Sequence, residues 1–119
     1  MPSNDLRKHD RYNTAAKARI KEISNIGTFV KDLSVTGGCF ICDKKTDIKN
    51  GAQHTVEIIP EKASGIGRFE LVVEFKWSHD LDNSIEIGFF ILESPKGKLF
   101  QRYVDYLSWF SETHRDSVL

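Results

Sequence analysis

The run Phe69-Glu70-Leu71-Val72-Val73-Glu74-Phe75-Lys76-Trp77 decides the fold class. Phe69, Leu71, Val73, Phe75 and Trp77 share one parity. Glu70, Glu74 and Lys76 hold the other, with Val72 the exception. A period of two is the signature of a half-buried β-strand, because successive side chains point to opposite faces of a sheet. The same signature recurs in both directions. Downstream, a turn at 80–84 leads to Ile85, Ile87, Phe89 and Ile91. Upstream, Val56 and Ile58 alternate within 54–60, between the turn dipeptide Asn50-Gly51 and a polar, glycine-containing loop at 61–67. Earlier still, Ala16, Ala18 and Ile20 alternate with Lys17, Arg19 and Lys21. Asn25-Ile26-Gly27 signals a turn before a strand at 28–31, and Cys39-Phe40-Ile41-Cys42 makes a short apolar strand. Six strands at such short spacing predict a mostly β chain folded as a six-stranded antiparallel β-barrel.

The C-terminal segment differs in kind. Ser94-Pro95 offers an N-cap followed by proline at a first helical position. Leu99, Tyr103, Tyr106 and Phe110 then recur at helical spacing, widened by Phe100, Val104 and Leu107. An amphipathic α-helix over about 95–115 is expected to pack across one end of the barrel. Docking of its aromatic face on another protomer is the alternative.

With 119 residues the chain is long enough for one domain with a real core and too short for two. Residues 1–13 lack apolar periodicity and read as a mobile N-terminal arm; 14–119 read as the barrel with its helix. Seventeen basic residues offset seventeen acidic ones, which argues against coating long nucleic acid by bulk charge. No run approaches the ~18 apolar residues of a membrane span, and no signal-peptide core opens the sequence. A cytoplasmic protein is expected, with two cysteines too few for a disulfide framework.

Catalytic patterns are weak. Cys39 and Cys42 have redox spacing but sit on a strand, where positions three apart face opposite sides. His9, His54, His79 and His114 are scattered without metal-type spacing. Gly65-Ile66-Gly67 has no helix or lysine after it and reads as a turn. No enzyme, metal or cofactor is expected.

Two stretches carry more chemistry than a barrel needs. Asp32-Leu33-Ser34-Val35-Thr36-Gly37-Gly38 joins two strands and brings together a carboxylate, two hydroxyls and two glycines. Arg7 and Arg11 lie four apart on the basic arm. Two guanidinium forks suit phosphate oxygens or the O6/N7 edge of guanine. Asp32 can accept from a guanine's pairing edge or orient an arginine, and Ser34 adds a hydroxyl donor. Gly37 and Gly38 would permit positive φ and close approach to a flat base. The plainer reading is a salt-bridged N-terminus over a glycine-containing turn.

RxxxR at Arg7 and Arg11, followed about 20 residues later by DxSxxG at Asp32, Ser34 and Gly37, resembles the PilZ domain. Members of that family are bacterial receptors for cyclic di-GMP. The resemblance extends from about residue 6 to the helix, and includes Gly88-Phe89-Phe90 in the last strand. It implies a six-stranded barrel with a C-terminal helix. It also implies that Arg7 and Arg11 clasp phosphates and guanine edges, that Asp32 and Ser34 contact one guanine, and that Gly37, with Gly38 beside it, shapes the turn beneath. Leu6, where an arginine accompanies binding of a stacked ligand pair, implies one cyclic di-GMP per domain. Asp10 beside Arg11 departs mildly from the pattern, since an acid there opposes anion binding.

The expected function is a stand-alone receptor whose arm orders on the ligand and signals to an effector protein in motility, adhesion, exopolysaccharide output or virulence. Neither DNA nor RNA binding nor membrane insertion is expected. Two alternatives are a PilZ-like adaptor that binds only protein, and a small nucleic-acid-binding barrel. The second would need exposed aromatics interleaved with basic residues on strand faces.

Overall fold

The computed structural model describes residues 10–23, 27–43, 48–95 and 97–115. Its strands are β1 (Tyr12–Asn13), β2 (Lys17–Ile20), β3 (Thr28–Leu33), β4 (Gly37–Cys42), β5 (Gln53–Ile59), β6 (Phe69–Asp80) and β7 (Ile85–Glu93), followed by helix α1 (Leu99–Arg115). All strand pairs are antiparallel, in the order β1-β3-β2-β5-β6-β7-β4. A further β3–β4 pairing joins the two sides, so β2 to β7 close into a six-stranded barrel. Closure leaves β1 as a two-residue addition on β3.

The alternation seen in the sequence fills this barrel. Ile20, Val30, Leu33, Phe40, Val56, Ile58, Leu71, Val73, Phe75, Ile87 and Phe89 are all at most 1% exposed. Burying an aliphatic or aromatic side chain of this size stabilises the fold by about 1.5–3 kcal/mol. Phe40 and Phe89 stack at 4.1 Å between ring centres.

Trp77 leaves the inward face on which the alternation put it. The β6–β7 register shifts between Phe75 and Trp77, so Lys76 is an extra residue and the indole is turned outward, 37% exposed. The β6–β7 register shifts again between Val72 and Val73, and the β3–β4 register between Val30 and Asp32. Strict alternation would turn Asp32 inward and Leu33 outward. The extra residue, Lys31, reverses this: Leu33 enters the core and Asp32 faces out.

Helix α1 starts at Leu99, four residues later than the Ser94-Pro95 signal suggested. Gly97 intervenes with a left-handed backbone, φ +88°, which a continuous helix cannot contain. Lys98 accepts the first helical bond, from Arg102 N at 2.8 Å. The helix packs on its own barrel through Phe100, Tyr103, Val104 and Leu107. The rings of Phe100 and Tyr103 stand 5.8 and 6.0 Å from Phe69. Tyr103 donates to Glu61 Oε1 at 2.6 Å, tying the helix to the loop after β5, and burial pushes its hydroxyl pKa well up. Tyr106 is half-buried, while Trp109 and Phe110 reach solvent. No helix among the described residues is long and apolar enough to cross a membrane.

Candidate functional site

The extra residue on β3 also anchors the arm. Thr14 N donates to the Lys31 carbonyl at 3.2 Å, and Thr14 Oγ1 donates to the Val30 carbonyl at 2.7 Å. The same hydroxyl accepts from Ala16 N. Tyr12 and Asn13 pair with Leu33 and Asp32. The expected arm, 1–13, therefore ends in a strand beside Asp32, and this brings Arg11 to the site. Arg7 and Leu6 lie outside the described residues.

Asp32 sits on the outer face between β1 and β4, its side chain 18% exposed. Its Oδ1 is buried and receives no hydrogen bond among the described residues. Arg11 Nη1 stands 3.8 Å away, within ion-pair range and beyond hydrogen-bond range. Loss of water raises the Asp32 pKa above its usual value, against the pull of Arg11 and Lys31. A buried acceptor without a donor carries a desolvation cost that a ligand N–H would relieve.

Ser34 has a different place. It is 2% exposed and its hydroxyl is turned into the β3–β4 connection. The oxygen accepts from the amides of Thr36 and Gly37, each at 3.2 Å, and donates to the Gly37 carbonyl at 3.2 Å. The Ser34 amide also bonds that carbonyl, at 2.8 Å. The hydroxyl thus builds the turn.

Gly37 and Gly38 do not adopt positive φ; among the described residues that conformation belongs to Gly51, Gly65 and Gly97. Their role is close packing of backbone. A Cβ on Gly37 would overlap the Phe89 carbonyl oxygen, and one on Gly38 would overlap the Asp32 carbonyl oxygen. The bare backbone at Gly38 lets β4 press against the carbonyl of the residue that carries the unpartnered carboxylate.

Sequence reasoning did not assign four other outward groups. Across the barrel wall, Asp32 is registered with Cys39, and Cys39 with Gly88. Trp77 rests on Gly88, where a Cβ would strike its indole. Lys31 Nζ pairs with Glu86 Oε2 at 2.6 Å. Cys39 lies outside the core cluster yet is 2% exposed. Burial pushes its thiol up to about 11, which makes it a poor nucleophile. The register shifts at Val30/Asp32 and at Phe75/Trp77 are the source of this constellation, and no local sequence signal marks them. Beside the site, Arg11, Tyr12 and Asn13 face Leu107, Phe110 and Ser111 across a groove of ≈ 270 Å³. No group of three or more His, Cys, Asp or Glu side chains among the described residues could hold a metal ion.

The closed barrel with its terminal helix is a PilZ-like fold. The chain is similar to the PilZ domain of YcgR from Escherichia coli, solved with c-di-GMP. The TM-score is 0.69 at 16% identity, over 92% of this chain and 97% of that one. It is also similar to the Bacillus subtilis inhibitor of motility MotI/DgrA. There the TM-score is 0.73 at 15% identity, over 90% of this chain and 51% of that one. At such identities the likeness is one of fold. No family model matches the sequence, and no curated protein matches it.

Proposed function

We propose that this PilZ-like domain is a non-catalytic receptor for cyclic di-GMP. The observation that carries the reading is the Asp32 carboxylate. One of its oxygens is buried without a hydrogen bond among the described residues, on an outward barrel face, with Arg11 within ion-pair range. A guanine offers two N–H donors on its pairing edge, which is what that oxygen lacks. Arg11, half-exposed and only loosely paired, can turn its fork to a phosphate or to guanine O6/N7. Arg7 completes the clasp, and Leu6 favours one ligand molecule per domain. Ser34, Gly37 and Gly38 hold the seat rigid from within.

The ligand orders the arm against β3 and changes the groove that the arm shares with α1. The exposed edge of that helix, with Trp109 57% exposed, is the surface offered to an effector protein. Ligand-dependent control of motility is the leading process, since the neighbouring structures include a motility inhibitor. Adhesion and exopolysaccharide output are the other candidates.

Titration calorimetry of the full chain with cyclic di-GMP tests the reading. Saturable binding that is lost in Arg11→Ala and Asp32→Ala is expected. No heat at high micromolar ligand, or unchanged affinity in Arg11→Ala, sinks it.

A further inference from the structure

Lys31 and Glu86 form an ion pair, 2.6 Å apart, across strands that are not hydrogen-bonded neighbours, on the wall that carries Asp32. Lys31 is on β3 and Glu86 on β7, and β4 runs between them. Neighbouring strands lie about 4.8 Å apart, so the pair spans roughly 10 Å of the outer surface. The lysine side chain therefore crosses β4 at the level of Cys39 and Ile41, the residues registered with Asp32 and Glu86. The register shift between Val30 and Asp32 puts Lys31 and Asp32 on this same outward face. Thr14 holds the backbone of Lys31 in place through its carbonyl. The ammonium is half-exposed, and the carboxylate that holds it is mostly covered.

We infer that Lys31 is a third cation of the nucleotide site and that Glu86 is its latch. This inference rests on the cyclic di-GMP reading and deepens it. In the empty site Glu86 draws the ammonium toward β7 and neutralises it. A phosphate arriving beside Asp32 competes for the same three N–H donors. The lysine then swings along the outer face to the phosphate, and its charge offsets the repulsion between that phosphate and Asp32. A long, flexible stem with a compact charge suits such a swing better than an arginine fork would. The latch also discriminates: a ligand with guanine but no phosphate cannot release it.

The test is calorimetry of the full chain with cyclic di-GMP, using wild type, Lys31→Met, Glu86→Gln and the double variant. Thermal melts check that each remains folded. Lys31→Met is expected to bind at least roughly tenfold more weakly, as for loss of one charge-assisted hydrogen bond. Glu86→Gln is expected to bind about threefold more tightly, because the competing partner is gone. In the Lys31→Met background that gain disappears. Unchanged affinity in Lys31→Met overturns the inference while leaving the receptor reading intact. A Glu86→Gln gain that persists without Lys31 shows simple repulsion and overturns the latch. A wild-type chain that takes no cyclic di-GMP overturns the receptor reading itself and the inference with it.

Discussion

Replacing Ser34 by alanine removes one oxygen atom and with it three bonds to the backbone of the β3–β4 turn and a 3.3 Å hydrogen bond with Thr36 Oγ1. That oxygen accepts from Thr36 N and Gly37 N and donates to Gly37 O, each at 3.2 Å. Ser34 is 2% exposed, so water cannot replace the hydroxyl unless the turn opens. A hydrogen bond contributes about 0.5–1.5 kcal/mol net, and a buried donor left bare costs about 1–3 kcal/mol. The Thr36 amide is in a partly exposed setting and regains some water, whereas the Gly37 amide is enclosed. The expected loss is therefore about 2 kcal/mol. Unfolding entropy for a chain of 119 residues is about 0.25 kcal/mol/K, so the melting midpoint should fall by about 8 °C. Circular dichroism melts of wild type and Ser34→Ala, at the same pH and salt, give the comparison. A midpoint within about 2 °C of wild type, combined with lost cyclic di-GMP binding, would refute the reasoning. It would return the hydroxyl to the ligand.

Three further expectations follow from the geometry. Burial raises the Asp32 pKa in the folded chain, so its ionised form works against folding, and stability falls as pH rises through that raised value. Asp32→Asn should accordingly melt above wild type at pH 7 and lose cyclic di-GMP; the melting gap should close in acid, where the wild-type carboxyl is also protonated, and melts across pH check the sign. Gly88→Ala drives a methyl into the Trp77 indole and should cost about 1–3 kcal/mol; in a Trp109→Phe background, where Trp77 is the single tryptophan, a red shift of its emission reports the displacement. Tyr103→Phe removes the 2.6 Å bond to Glu61 that ties α1 to the barrel, and urea titration should show about 1–2 kcal/mol lost.

The DxSxxG pattern mixes two kinds of role. Ser34, Gly37 and Gly38 are needed by the fold: one satisfies the turn from inside, and two let strands approach where a side chain would collide. Asp32 is the member left, among the described residues, with unspent bonding capacity, and Arg11 of the arm stands beside it within ion-pair range. A sequence pattern cannot separate the two roles, because both demand the same residue at the same place. Exposure and hydrogen-bond partners separate them at once.

Alternation of apolar side chains was enough to find the six barrel strands and their antiparallel class, because the period of two is a direct consequence of strand geometry. The amphipathic spacing from Leu99 onward was enough to find the helix, and RxxxR with DxSxxG was enough to point to the PilZ-like fold. Tertiary structure alone decided the rest. Gly97 delays the helix beyond its cap signal. Two register shifts turn Trp77 outward and exchange the faces of Asp32 and Leu33. A register shift depends on how one strand meets its partner during barrel closure, and a single strand's sequence contains no record of that meeting. For this reason the stretch Asp32 to Gly38 stood out in the sequence, while Lys31, Glu86, Cys39 and Trp77 became its neighbours only on the closed barrel.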